Sequence, residues 1–216
     1  MKPRMRRRSG PGSQTMAPLL PEDVKDMGAY LRKRSARNHA LFQMMLYTGR
    51  RVGDVLSLDV WDVARRDPRN RLVIRKRIEF REAKSGKFTS IKTHSALVRS
   101  LSRYLQERER KGGKKLTGSE PLFPSRKARL NGEYRLTRRQ AWQIFTDAAE
   151  SLGFPRSPGT HGLRKTFGMN LHRDAGASIE DIQSIFRHSS TRVTKIYIGL
   201  SQERLDEFVS ALPSYT

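Results

Sequence analysis

Two histidines, two arginines, a lysine and a tyrosine carry the chemistry this chain could do. Four of them fall between His161 and Tyr197. That stretch opens His161-Gly162-Leu163-Arg164, continues through a helical run to Phe186-Arg187-His188, and reaches Tyr197 nine residues after His188. Arg51 and Lys84 lie upstream. A guanidinium is planar with five donors, so it meets two phosphate oxygens at once. A phenolic oxygen is a nucleophile once it sheds a proton, and its pKa of about 10 means it needs a positive field to do so. The set therefore suits attack by Tyr197 on a phosphate ester that the other residues hold and polarise.

Each residue also has a plainer reading. A His–Arg pair three apart on a helix usually decorates a surface. A tyrosine between Ile196 and Ile198 usually packs in a core, and a lysine beside a hairpin is usually solvated. Short motifs of this kind gain weight only in combination.

The composition favours a polyanionic partner. Lys and Arg number 44 against 21 Asp and Glu, a formal charge of +23, and nucleic acid is the first candidate for such an excess. Basicity alone is shared with ribosomal and histone-like proteins. The chain has no cysteine, which excludes disulfides, thiol nucleophiles and cysteine-ligated zinc. Apolar residues make up 36%, enough for a modest core. The basic start is followed by no apolar run long enough for a signal peptide or membrane span, so a soluble, intracellular protein is expected, nucleoid-associated in the cytoplasm.

The elements that must position these residues can be placed from pattern. Residues 1–17 hold five basic residues in the first eight, then Gly, Pro and Ser, and are expected to be a disordered basic arm. A single domain is expected over 18–216. Pro21, with Glu22 and Asp23 behind it, starts a helix. A second helix over 37–48 ends at Gly49. Arg51 and Asp54 then share a face of the next helix start, where the carboxylate could fix the guanidinium. Residues 71–93 read as strands around a hairpin at Ser85-Gly86, with Lys84 and Lys87 flanking the turn. An amphipathic helix covers 95–110. Thr137 to Gln140 is a capping box. Thr160 is expected to cap a helix from His161, so that Arg164 follows one turn in, at a terminus suited to phosphate. Gly176 ends that helix and Ser178 caps the next. A last amphipathic helix is expected at 201–212.

Thr48-Gly49-Arg50-Arg51, the hairpin lysine, His161-Gly162-Leu163-Arg164, His188 and Tyr197, in this order and spacing, resemble the tyrosine recombinases of the phage integrase family. The likeness runs from about Leu20 to Leu212. It implies a mostly helical α+β catalytic domain with a small antiparallel sheet. It implies that Arg51, in the pattern Thr-Gly-x-Arg, is the first catalytic arginine and Arg164 the second. His161 assists proton transfer, His188 bonds the phosphate, and Lys84 protonates the departing 5′ oxygen, with Lys87 as the alternative lysine. Asp54 occupies a position that is usually acidic, and Arg50, Lys87, Lys165 and Arg187 are expected against DNA.

The same likeness implies a 3′-phosphotyrosyl intermediate on double-stranded DNA, without metal or nucleotide, and self-association on DNA as dimer to tetramer. Integration, excision, inversion and resolution all use this chemistry. The chain resembles compact members that carry little beyond the catalytic domain; its basic arm or an accessory DNA-binding protein would supply the remaining grip. Two departures stand out: Phe186-Arg187-His188 replaces the common Leu-Gly-His, and Lys165 replaces a common histidine. The other classes to weigh are a non-catalytic DNA-binding relative, a relaxing topoisomerase of the same chemistry, and a basic RNA-binding scaffold.

Overall fold

Helix α2 (Ala36–Thr48) is the centre of the molecule. Ala40, Leu41, Phe42, Met44, Met45, Leu46 and Thr48 are all buried, and a helix apolar on nearly every side must be surrounded. Helices α1 (Pro21–Arg34), α5 (Ser95–Gly112) and α7 (Gly159–Ala175) surround it. The computed structural model describes residues 18–81, 86, 88–125, 134–187 and 194.

Short elements fill the first half: α3 (Val52–Leu56), α4 (Val60–Val63) and the strands β1 (Ala64–Arg66), β2 (Leu72–Ile74), β3 (Arg77–Arg81) and β4 (Phe88–Lys92). The strands form two antiparallel pairs, β1 with β2 and β3 with β4. Register in the second pair runs from Arg77 opposite Lys92 to Arg81 opposite Phe88. Alternation places Ile78 and Phe80 in the core and Arg77, Glu79 and Arg81 outward. The second half adds α6 (Arg138–Ser151) and α8 (Ile179–Phe186). The architecture is thus the mostly helical α+β expected.

Local chemistry explains the boundaries. Pro21 begins α1, and Glu22 and Asp23 face its positive end. Thr137 and Gln140 form the reciprocal capping box of α6, with bonds of 3.0 and 2.8 Å. Ser178 and Asp181 do the same for α8. Gly49 ends α2 at φ 58°. A Cβ there would overlap the ring of Phe167 on α7, so glycine serves both the backbone turn and the close helix contact.

Helix α7 departs from expectation at its start. Pro158, not Thr160, is the N-cap, and Gly159 is the first helical residue. The fixed φ of proline is already helical, which moves the start back and leaves Thr160 inside the first turn. Strand β1 and helix α4 were not anticipated; each is too short to show a period. The backbone N–H of Leu19 donates to Thr166 Oγ1 on α7 at 2.8 Å, across 147 positions. Among the described residues no helix is long and apolar enough to cross a membrane. The expected arm at 1–17 and helix at 201–212 lie outside the described residues.

Candidate active site

Two adjacent arginines leave the Gly49 turn in opposite directions. Arg50 turns inward and is only 1% exposed. Its Nε donates to Thr48 O at 3.4 Å and its Nη2 to Ile185 O near the end of α8. Arg50 therefore braces the turn from within, and the expectation that it lies against DNA is corrected: its guanidinium is satisfied in the interior. Arg51 is exposed and forms the extended N-cap of α3.

Arg164 sits one turn into α7 and is 3% exposed. Its Nη1 donates to Gly49 O at 2.5 Å and its Nη2 to Phe186 O at 3.1 Å. The guanidinium carbon lies 4.3 Å from the centre of the Phe186 ring, a favourable cation–π distance. Arg164 thus joins three elements: the α2–α3 turn, its own helix, and the end of α8.

Arg51, His161 and Arg164 line one cleft of ≈ 450 Å³ together with Asp54. His161 has a lowered pKa, first through burial and then through the positive charges of Arg164, Lys165 and Arg51. A neutral imidazole here can accept a proton, whereas an imidazolium could not. Lys165 on the same helix is buried, and burial lowers its pKa as well. That burial is a cost to the charged form of the side chain. Asp54, in the first turn of α3, is buried, and its backbone N–H donates to Arg51 O at 2.9 Å.

Arg187 is exposed and ends α8 in the left-handed region at φ 53°. Its Nη2 donates to Phe88 O, the first residue of β4, at 2.9 Å. The lysines of the hairpin connection, Lys84 and Lys87, lie outside the described residues, as do His188 and Tyr197.

Three cleft residues escaped the sequence reading as site residues: Arg138, Arg139 and Trp142 of α6. A signal existed. The first turn of α6 carries two arginines and no acid, against the preference of a helix N-terminus for negative charge. Such a cost is offset when an anion binds there. Gly53 leaves room for this guanidinium, since a Cβ there would stand 2.7 Å from Arg138 Nη2 and push it aside.

The fold and cleft define a class. The phage integrase family model matches residues 18–204. A probable integrase/recombinase, YoeC of Bacillus subtilis, is 28% identical over 182 residues, which are 84% of this chain and 88% of YoeC. The tyrosine recombinase XerD of Mycobacterium leprae is 30% identical over 175 residues, covering 79% of this chain. The chain spans 50% of that XerD. The crystal structure of XerA recombinase superposes with a TM-score of 0.70 at 25% identity, over 96% of this chain and 68% of XerA. The chain belongs to the phage integrase family, as a tyrosine-type site-specific recombinase.

Proposed function

We propose that the cleft holds one phosphodiester of double-stranded DNA and that Tyr197 attacks it. The observation that carries this reading is the meeting of Arg51, His161 and Arg164 in one cleft from distant parts of the chain. Arg51 and Arg164 neutralise the non-bridging oxygens and the charge that grows as phosphorus becomes five-coordinate. The Tyr197 oxygen forms the new bond to phosphorus, the bond to the 5′ oxygen breaks, and a 3′-phosphotyrosyl link remains. His161, held neutral, assists removal of the phenolic proton. Lys84 supplies a proton to the departing 5′ oxygen, and His188 hydrogen-bonds the phosphate. Rejoining reverses these steps with a 5′ hydroxyl as the nucleophile.

XerH has been crystallised bound to its difH substrate, and lambda integrase as a dimer on a core site. By likeness of fold, this chain acts on DNA as a self-associating enzyme. We place it in the cytoplasm with the nucleoid, as a catalytic domain from residue 18 onward, assisted by the basic residues 1–17 or by an accessory DNA-binding protein. Residues 201–212 would form the closing helix.

The test is covalent trapping. The protein is incubated with nicked duplex carrying candidate sites, in chelator, and denatured in detergent. A stable protein–DNA adduct is expected for wild type and none for Tyr197→Phe. No adduct with any DNA would point to a binding protein, and an adduct without sequence preference to a relaxing topoisomerase.

A further inference from the structure

A second cationic cavity, of ≈ 660 Å³, lies at the end of α2 remote from the cleft. The cleft adjoins Gly49 at the C-terminal end, and this cavity adjoins Ser35 at the N-terminal end. Thirteen helical residues separate the two, roughly 20 Å at 1.5 Å per residue. The last turn of α1 brings Arg32, Lys33 and Arg34, the first turn of α2 brings Arg37, and α5 brings Arg103 and Arg108.

Part of this charge is internally engaged. Arg37 donates to Pro124 O at 2.7 Å, and Arg108 pairs with Glu120 at 2.8 Å. Among the described residues one carboxylate lines the cavity, Glu107, bound by Lys111 at 2.5 Å and held below the usual carboxylate range by Lys111 first and then by the charges of Arg103 and Arg110. Arg32, Lys33 and Arg103 are exposed and form no ion pair among the described residues. The fields of Arg32 and Arg103 converge inward: both help burial to lower the pKa of His39, an α2 residue that bonds Ser100 of α5. Gathering like charges in one concavity is unfavourable unless an anion neutralises them.

We propose that this cavity grips the phosphate backbone of DNA beyond the base pairs held at the cleft, through Arg32, Lys33 and Arg103. The proposal rests on DNA being the substrate. Backbone is favoured over an acidic protein for a physical reason. A protein partner needs an apolar anchor at the centre of its contact, and here Tyr104 is buried with its hydroxyl spent on Leu122 O. Phosphates need only positive charge in the right places.

The experiment compares wild type with the triple variant Arg32→Ala, Lys33→Ala, Arg103→Ala. Binding is measured against salt on a short duplex confined to the cleavage site and on one extended by roughly 20 base pairs, two helical turns. For wild type the salt dependence is expected to be steeper on the long duplex. For the variant that increment vanishes, the slope falling by about 2 to 3 at 0.9 per lost phosphate contact. Adduct yield on short nicked duplex stays at the wild-type level, and restoring lysine at all three positions restores the slope. An unchanged slope on the long duplex, or an equal loss on the short one, overturns the proposal. If wild type neither binds DNA nor forms an adduct, it is the functional reading that has failed; wild-type adduct with an unchanged variant slope condemns this proposal alone.

Discussion

Arg187 donates to the carbonyl of Phe88 at 2.9 Å, across 99 positions of sequence. The bond ties the end of α8, one residue before His188, to the strand that leaves the hairpin connection containing Lys84. A hydrogen bond from a charged donor is worth about 1.5 kcal/mol or more, close to tenfold in a rate if all of it is lost at the transition state. Arg187→Ala is expected to slow adduct formation by about that factor. Sulfur in place of the bridging 5′ oxygen departs as a thiolate and needs no proton. That substitution should restore Lys84→Ala and Arg187→Ala alike if the strap acts through the lysine. Rescue of Lys84→Ala alone would show that Arg187 acts elsewhere.

The neighbouring arginines predict opposite phenotypes. Arg50→Ala removes an interior guanidinium and strands the Ile185 carbonyl, so stability should fall by roughly 2–4 kcal/mol. Arg51→Ala, at the surface of the cleft, should leave the melting temperature unchanged. It should lower the cleavage rate by about 100- to 1000-fold, the usual effect of losing one donor to a transition-state charge. Thermal denaturation beside single-turnover cleavage separates the two, and a reversed pattern would exchange the roles assigned here.

Gly49→Ala meets both a strained backbone and the Phe167 ring. Strain of about 1–2 kcal/mol at positive φ, plus overpacking of about 1–3 kcal/mol, is expected. In a Phe167→Ala background the overpacking part should disappear, giving a coupling that a double-mutant cycle in denaturant reads directly. Additive losses would mean that ring and turn are independent.

His161 gives a pH prediction. Its folded pKa lies below the ordinary value, while the unfolded value is about 6.5. The folded state thus binds this proton less readily than the unfolded chain. The associated stability is complete above about pH 6.5 and is lost as pH falls from there through the lowered folded value. An NMR titration of the His161 ring should show a midpoint below 6.5 in the free protein. Phosphate in the cleft should move it upward, since an anion favours the imidazolium. A free-protein midpoint at or above the ordinary value would show that burial and the neighbouring cations do not hold the imidazole neutral.

Much of the site was legible because its parts are local motifs. The Gly49 turn, the one-turn spacing of His161 and Arg164, and the Ser178 cap follow from glycine conformation, helical period and capping chemistry. What period cannot show is which of two adjacent side chains faces inward. The Thr-Gly-x-Arg pattern singles out Arg51 for the chemistry, but that Arg50 turns inward is visible only in the packing of α8 against the turn. Arg138 and Arg139 lie inside the Thr137–Gln140 capping box, and their cost to the helix dipole is the one local sign that they face an anion.

The bond from Leu19 to Thr166 has a practical reach. Chain joined upstream of Leu19 leaves the molecule from the flank of α7, two residues along from Arg164. Residues i and i+2 of a helix do not face each other, so a fluorophore or tethered module added there would start its path on the side of α7 turned away from Arg164, leaving the mouth of the cleft clear.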